Sequence, residues 1–213
     1  MNRIDEVFGT SPVLLPVIHP IGRTEALSAV GIAWSLGVRG IFLIDQGMPE
    51  YDVFNLVREV RERHPGLWIG INLLSRPPAG ALLTSLNACG TIDGLWSDDA
   101  GISDTGVAHH VEAFSKARWA MDWKGLYFGG VAFKYQREIA PTDLGRVAAG
   151  ATAFMDVICT SGPGTGQAAD PKKVQALHAG CGDHALALAS GVTPENVRDY
   201  LPYVQAFLVG TGI

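Results

Sequence analysis

Eight short apolar runs punctuate the chain. They begin at Val13 ("VLLPVIH"), Gly40 ("GIFLIDQG"), Leu67 ("LWIGINLL"), Gly94 ("GLWSDDAG"), Leu126 ("LYFGGVAFK"), Asp156 ("DVICTSG"), Ala185 ("ALALASGV") and Ala206 ("AFLVGTGI"). Successive starts lie 27, 27, 27, 32, 30, 29 and 21 residues apart, which is the length of one strand–helix unit. The runs are continuously apolar rather than alternating. That pattern fits parallel strands covered on both faces. Between them lie helix signals. "YDVFNLVREVRERHP" places Val53, Leu56, Val57 and Val60 on one face and closes on Pro65. "TEALSAVGIAWSLG" opens on a Thr cap and stops at Gly37, and "SDTGVAHHVEAFSKARWAMDWKG" runs to Gly125. "DPKKVQALHAG" opens on Asp170 with Pro171 at the first helical position, and "TPENVRDYLPYV" repeats that with Thr193 and Pro194.

Eight strands with seven intervening helices predict a single domain over residues 1–213, an α/β fold of the (β/α)₈ TIM-barrel type. An open doubly wound sheet is the alternative. Two features strain the barrel. Pro16 removes a ladder donor from the first run, so the first strand is expected to be short, from Val17 to His19. No helix signal follows the last strand, so the last outer helix is expected to be absent from this chain. Apolar surface near the first and last strands would then need a cover, from an N-terminal segment or from a second copy in a homodimer.

Composition narrows the partners. The 213 residues carry 16 Lys and Arg against 21 Asp and Glu, a formal charge of −5 with no basic stripe. A nucleic-acid backbone is therefore not an expected partner. No apolar run reaches the ~20 residues of a spanning helix, so no membrane insertion is expected. The cysteines Cys89, Cys159 and Cys181 are odd in number with no C-x-x-C pair. With an acidic start in place of a secretory leader, they point to a reducing cytoplasm.

In a barrel the chemistry sits at the C-terminal ends of the strands. Those ends carry His19, Asp45, Asn72, Ser97, Asp98, Asp99, Lys134, Thr160, Ser161, Ser190 and Thr211. Polar residues also begin loops for no functional reason. The set nevertheless holds a His, carboxylates, an amide and a Lys, which is what proton transfer on a small polar substrate requires. Asp45, Asp98 and Lys134 are the candidate catalytic groups, as base, acid and anion stabiliser. Lys134 reads alternatively as a rim lysine. His19, Asn72, Thr160 and Ser161 are candidate substrate-binding residues. A metal site from Asp98, Asp99, Asp104 and a His lacks ligand spacing, so neither a metal nor another cofactor is expected.

The last three strands end differently, in "CTSGPGTGQ", "ASGV" and "VGTGI". Glycine lets a backbone approach a ligand, and free amides there bind anions. The loops after the seventh and eighth strands of barrels commonly hold phosphate. Gly162, Gly164, Ser190, Gly191, Gly210 and Thr211 are therefore candidate phosphate-binding residues. The helix opening at Thr193 is expected to add positive potential.

These segments also carry a resemblance. "TSGPGTGQAADPKKV", "SGVTPENV" and "FLVGTGI" resemble the BtpA family of TIM-barrel proteins, with "VIHPIG" and "IGINLL" similar to that family's earlier stretches. The likeness is concentrated in the C-terminal third. It implies a (β/α)₈ barrel in a family associated with photosystem I biogenesis, with relatives in sugar-utilisation operons and others labelled phosphoribosyltransferase-like. The chain departs from it at the first strand, at Ala189 where glycine is usual, and in stopping at Ile213. "SGVTPEN" also resembles the turn of phosphoribosylanthranilate isomerase, although that enzyme's Cys and Asp acid/base positions find no match. The expectation is an enzyme acting on a small phosphorylated metabolite, a sugar phosphate or phosphoribosyl compound, by isomerase, lyase or glycosyl-transfer chemistry. The rival is a non-catalytic assembly factor binding a protein partner.

Overall fold

The structure, a computed structural model, describes residues 1–210; Thr211 and Ile213 lie outside the described residues. Eight parallel strands close into a barrel: β1 (Val13–Ile18), β2 (Gly40–Ile44), β3 (Trp68–Asn72), β4 (Gly94–Ser97), β5 (Leu126–Gly130), β6 (Val157–Ser161), β7 (Ala185–Ala189) and β8 (Ala206–Val209). The ring closes where β1 pairs with β8, Val13 opposite Ala206. This excludes the open sheet. β1 runs through Pro16, contrary to the expected short strand. Residues 13–16 pair with β8, and the register to β2 begins only at Val17, so the missing proline donor falls ahead of that ladder.

Seven α-helices are described: α1 (Arg3–Phe8), α2 (Arg23–Ser35), α3 (Glu50–Arg63), α4 (Pro78–Cys89), α5 (His109–Ala120), α6 (Leu144–Ala151) and α7 (Pro171–Cys181). α7 is capped as expected, with Asp170 Oδ1 accepting from Lys172 N at 2.9 Å. Three elements differ from expectation. The segment from Thr193 forms only a 3₁₀ turn, Val197–Asp199, although Asn196 Oδ1 does accept from Thr193 N at 2.8 Å. The start of the segment before α5 is a small antiparallel hairpin, Ile102–Ser103 with Gly106–Val107. Finally, α1 does not lie over β1 and β8. Asn2 caps it, Gly9 ends it at φ +71°, and it packs into the N-terminal mouth of the barrel. There Ile4 and Phe8 are buried, and the Phe8 ring lies 5.4 Å from Trp68. On the outer face of β1, Leu14 stays 47% exposed.

The barrel interior is lopsided. Phe42, Trp68, Trp96 and Phe128 fill one half, with Phe42 5.1–5.7 Å from the other three rings. Their neighbours are glycines: a Cβ at Gly70 would overlap the Phe42 ring, and one at Gly94 the Trp68 ring. On the other side Ala185, Ala187, Ala189 and Ala206 line the interior. Large rings on β2–β5 thus offset small residues on β7 and β8, which keeps the interior dense. A second apolar layer lies between strands and helices.

Candidate functional site

Strand alternation decides which polar residues reach the barrel axis. On β2, Phe42 and Ile44 face inward, so Asp45 faces away from the axis. Its Oδ1 accepts from Leu74 N at 2.8 Å, and it does not line the cavity at this face. Ser97 follows inward Trp96 and bonds Tyr127 in the outer layer at 2.7 Å. Thr160 is likewise turned outward, its hydroxyl donating to Ala132 O at 3.1 Å. Ser161 is buried; its Oγ accepts from Lys134 N at 2.7 Å and donates to Gly162 O at 2.8 Å. Both hydroxyls therefore hold loops, and Asp45 braces the β3–α4 connection.

The inward set is His19, Asn72, Asp98 and Lys134. Asn72 Nδ2 donates to Asp98 Oδ1 at 3.0 Å, and Lys134 Nζ stands 3.8 Å from Asp98 Oδ2. Lys134 is not on β5 but four residues past it, in a loop tied by Gln136 to the carbonyl of Asp98 at 3.0 Å. A glycine is needed at 130, because a Cβ there would overlap that same carbonyl. Burial raises the Asp98 carboxyl above its ordinary value, with Lys134 and Asn72 opposing it in part. Burial and then the Lys134 charge lower the His19 imidazole, so it is neutral at pH 7.

A cavity of about 410 Å³ joins His19, Asp98 and Lys134 to the loops after β6, β7 and β8, with Asn72 buried behind Asp98 and outside the lining. His19, Asp98 and Lys134 line one part; Thr165, Gly166, Ser190, Gly191, Val192, Thr193 and Gly210 line the other. Ser190 and Gly191 are both left-handed, at φ +68° and +67°. Gly191 has no room for a side chain, since a Cβ would overlap the Gln167 carbonyl. Ser190 Oγ accepts from Gly166 N at 2.8 Å, which leaves its O–H to donate elsewhere. No hydrogen bond among the described residues takes the amide of Gly191 or of Val192. Two of the glycines singled out from sequence fall away from this cavity. Gly162 is pressed against Gln167 and Ala168, and Gly164 lies by the Gln167 side chain. Thr165 and Gly166 of the same loop line the cavity in their place. The three-residue 3₁₀ turn removes the expected helix terminus, and the unpaired amides are what remains.

Among the lining residues that sequence reasoning missed are Gln46, Trp96, Tyr135, Thr165 and Gly166. Gln46 and Trp96 follow from alternation, two residues past Ile44 and opposite Asn72 on the next strand. Tyr135 gives no such signal. Among the described residues no three His, Cys, Asp or Glu side chains gather as a metal-binding group, and no helix is long and apolar enough to cross a membrane. Asp99 is held at Gly101 N (2.8 Å), and Asp104 pairs with Arg137.

Beneath Lys134, Lys173 of α7 donates from Nζ to the carbonyls of Ala132 (2.5 Å) and Ser161 (2.7 Å), clamping the ends of β5 and β6. Burial pushes its ammonium down from 10.5 to about 8. The folded chain then binds fewer protons at Lys173 than the unfolded chain between those values, so this contribution to stability rises with pH from about 8 upward. The difference in urea unfolding between the wild type and Lys173→Met should show that rise. A flat difference across the window would mean the ammonium is not desolvated.

The fold and site together define a (β/α)₈ barrel with a cavity of mixed polar and apolar lining at the C-terminal face. No family model and no curated protein matches the sequence. Among solved structures, the chain is similar to phosphoribosyl anthranilate isomerase from Thermus thermophilus, with TM-score 0.62 and 15% identity over 94% of this chain and 88% of that one. It is also similar to orotidine 5'-monophosphate decarboxylase from Methanocaldococcus jannaschii, with TM-score 0.65 and 12% identity over 94% and 89%. At these identities the likeness is one of fold. Both neighbours are named for phosphorylated substrates.

Proposed function

We propose that this barrel is an enzyme acting on a small phosphorylated metabolite, a sugar phosphate or phosphoribosyl compound. The observation that carries the reading is the shared cavity: amides without a partner among the described residues and a glycine-lined turn at one side, an Asp–Lys pair at the other. The amides of Gly191 and Val192, the Ser190 hydroxyl and the backbone at Gly210 hold the phosphate; Thr211, beyond the described residues, belongs to the same proposal. Asp98 exchanges a proton with the reacting carbon or oxygen, its raised pKa suiting it to give as well as take one. Lys134 stabilises the anion that forms. Neutral His19 orients the substrate, and Asn72, expected from the sequence to bind substrate, instead holds the Asp98 carboxylate from behind. Asp45 is left a bracing role. Proton transfer of this kind serves an isomerase, a lyase or a glycosyl transfer. The neighbours' named substrates and the BtpA-like C-terminal third support the same class.

The non-catalytic reading rests on apolar side chains exposed on β1 and at α2, namely Leu14, Ile32 and, just past the helix end, Leu36. In that reading the barrel is an assembly factor and a partner protein covers the face; a homodimer sealing it is a separate proposal, compatible with either reading. Thermal melts against inorganic phosphate and a panel of phosphosugars separate the two readings. The enzyme reading expects stabilisation by phosphate esters, and its loss in Gly191→Asp, where a carboxylate enters a left-handed position with no room for it. No shift with any phosphate ester sinks it.

A further inference from the structure

Four non-glycine residues in the described chain have left-handed backbones: Asp122, Ala132, Tyr135 and Ser190. Asp122 lies at the far end of the barrel. Tyr135 and Ser190 line the candidate site, and Ala132 lines the cavity next to it. For a bulky side chain such a backbone is a real departure, and departures of this kind gather at ligand clamps. Tyr135, at φ +63°, is also 79% exposed, although it is a large aromatic. Among the described residues only Thr165 holds its hydroxyl, through Oγ1 at 3.1 Å and the amide at 3.3 Å.

Tyr135 borders two cavities. One is the candidate site. The other, about 470 Å³, lies between the loops after β5 and β6. Its lining includes Phe133, Ile139, Pro141, Leu144 and Pro163, together with Gln136, Arg137, Glu138, Asp170 and Lys173. A mostly apolar wall with a few polar groups suits a flat ring better than a polyol chain. Opening the partition requires the loss of contacts to one residue, because the ring itself is not packed.

We infer that Tyr135 is a specificity-determining residue, and that the site takes phosphate esters carrying a planar ring, with the phosphate at the β7 and β8 turns and the ring against Tyr135 in the second cavity. This rests on the phosphate reading of the site and extends it to the substrate's other end. The ring would lie on the tyrosine face in offset or edge contact.

The test is calorimetric titration of the whole chain with inorganic phosphate, ribose 5-phosphate and uridine 5'-monophosphate. The wild type should bind the nucleotide roughly three- to tenfold more tightly than the ring-free ester, the range of one aromatic contact. Tyr135→Ala should bring the two esters to equal affinity and leave inorganic phosphate unchanged. Tyr135→Phe, which keeps the ring and releases Thr165, should retain the preference. If ribose 5-phosphate binds but the nucleotide binds no better, or Tyr135→Ala keeps the preference, the inference fails and the phosphate reading stands. If none of the three ligands binds, both fail.

Discussion

Replacing Phe42 with alanine should destabilise the barrel by about 3–5 kcal/mol, the range for deleting a fully buried phenylalanine. Phe42 touches the rings of Trp68, Trp96 and Phe128 at the centre of the crowded half of the interior. The surrounding strands cannot collapse onto the void, because each is fixed in the ring by two neighbours. Filling is no easier: Gly70 faces Phe42 from β3 and offers no side chain to move. Urea unfolding followed by tryptophan fluorescence measures the loss. A change under about 1 kcal/mol would mean the interior is not close-packed there. The same truncation tests the site indirectly, since Trp96 forms part of the cavity floor.

Asp98→Asn should separate stability from function. The Asp98 carboxyl is raised by burial. A raised carboxyl adds stability below its unfolded value of 3.8, and that contribution is lost as pH rises through the folded value. At pH 7 the ionised group is therefore a burden on the fold, and the neutral amide removes it. Melting temperature at pH 7 should rise in Asp98→Asn and match the wild type in acid. Turnover of a phosphate ester identified by screening should fall by about 10²–10⁴-fold, the usual worth of a positioned acid or base. Lys134→Met should act in the opposite sense on stability. It removes the cation 3.8 Å from Asp98 and leaves the carboxylate facing apolar walls. Lower stability for Asp98→Asn at pH 7 would show that the carboxylate is a structural ion-pair partner rather than a group held ready for proton transfer. Such a trade of stability for activity is common where an active site keeps a strained charge.

The barrel was legible because parallel strands buried on both faces leave runs that cannot be mistaken for loops. Six of the eight runs begin at the first residue of a strand, and Leu67 and Asp156 each precede one by a single residue. What escaped were elements held by tertiary contact. α1 is six residues long, too short to form alone, and exists because Ile4 and Phe8 plug the barrel. The segment after Thr193 carries good cap residues but yields only a 3₁₀ turn, since a cap signals a start and says nothing of length. The site was half legible. Naming polar residues at strand ends found three that line the candidate cavity, His19, Asp98 and Lys134, and Asn72 behind Asp98, but ignored the two-residue period of a strand. That period turns Asp45, Ser97 and Thr160 away from the axis and brings in Gln46. Tyr135 and Thr165 lie in loops whose path only the folded chain reveals.

The central claim is that the turns after β7 and β8 hold a phosphate in the cavity that contains Asp98 and Lys134. A crystal structure determined in the presence of inorganic phosphate tests it most directly. The anion should lie against the amides of Gly191 and Val192 and the Ser190 hydroxyl, beside Gly210. Phosphate bound only at the opposite mouth of the barrel, or none at saturating concentration, would contradict it.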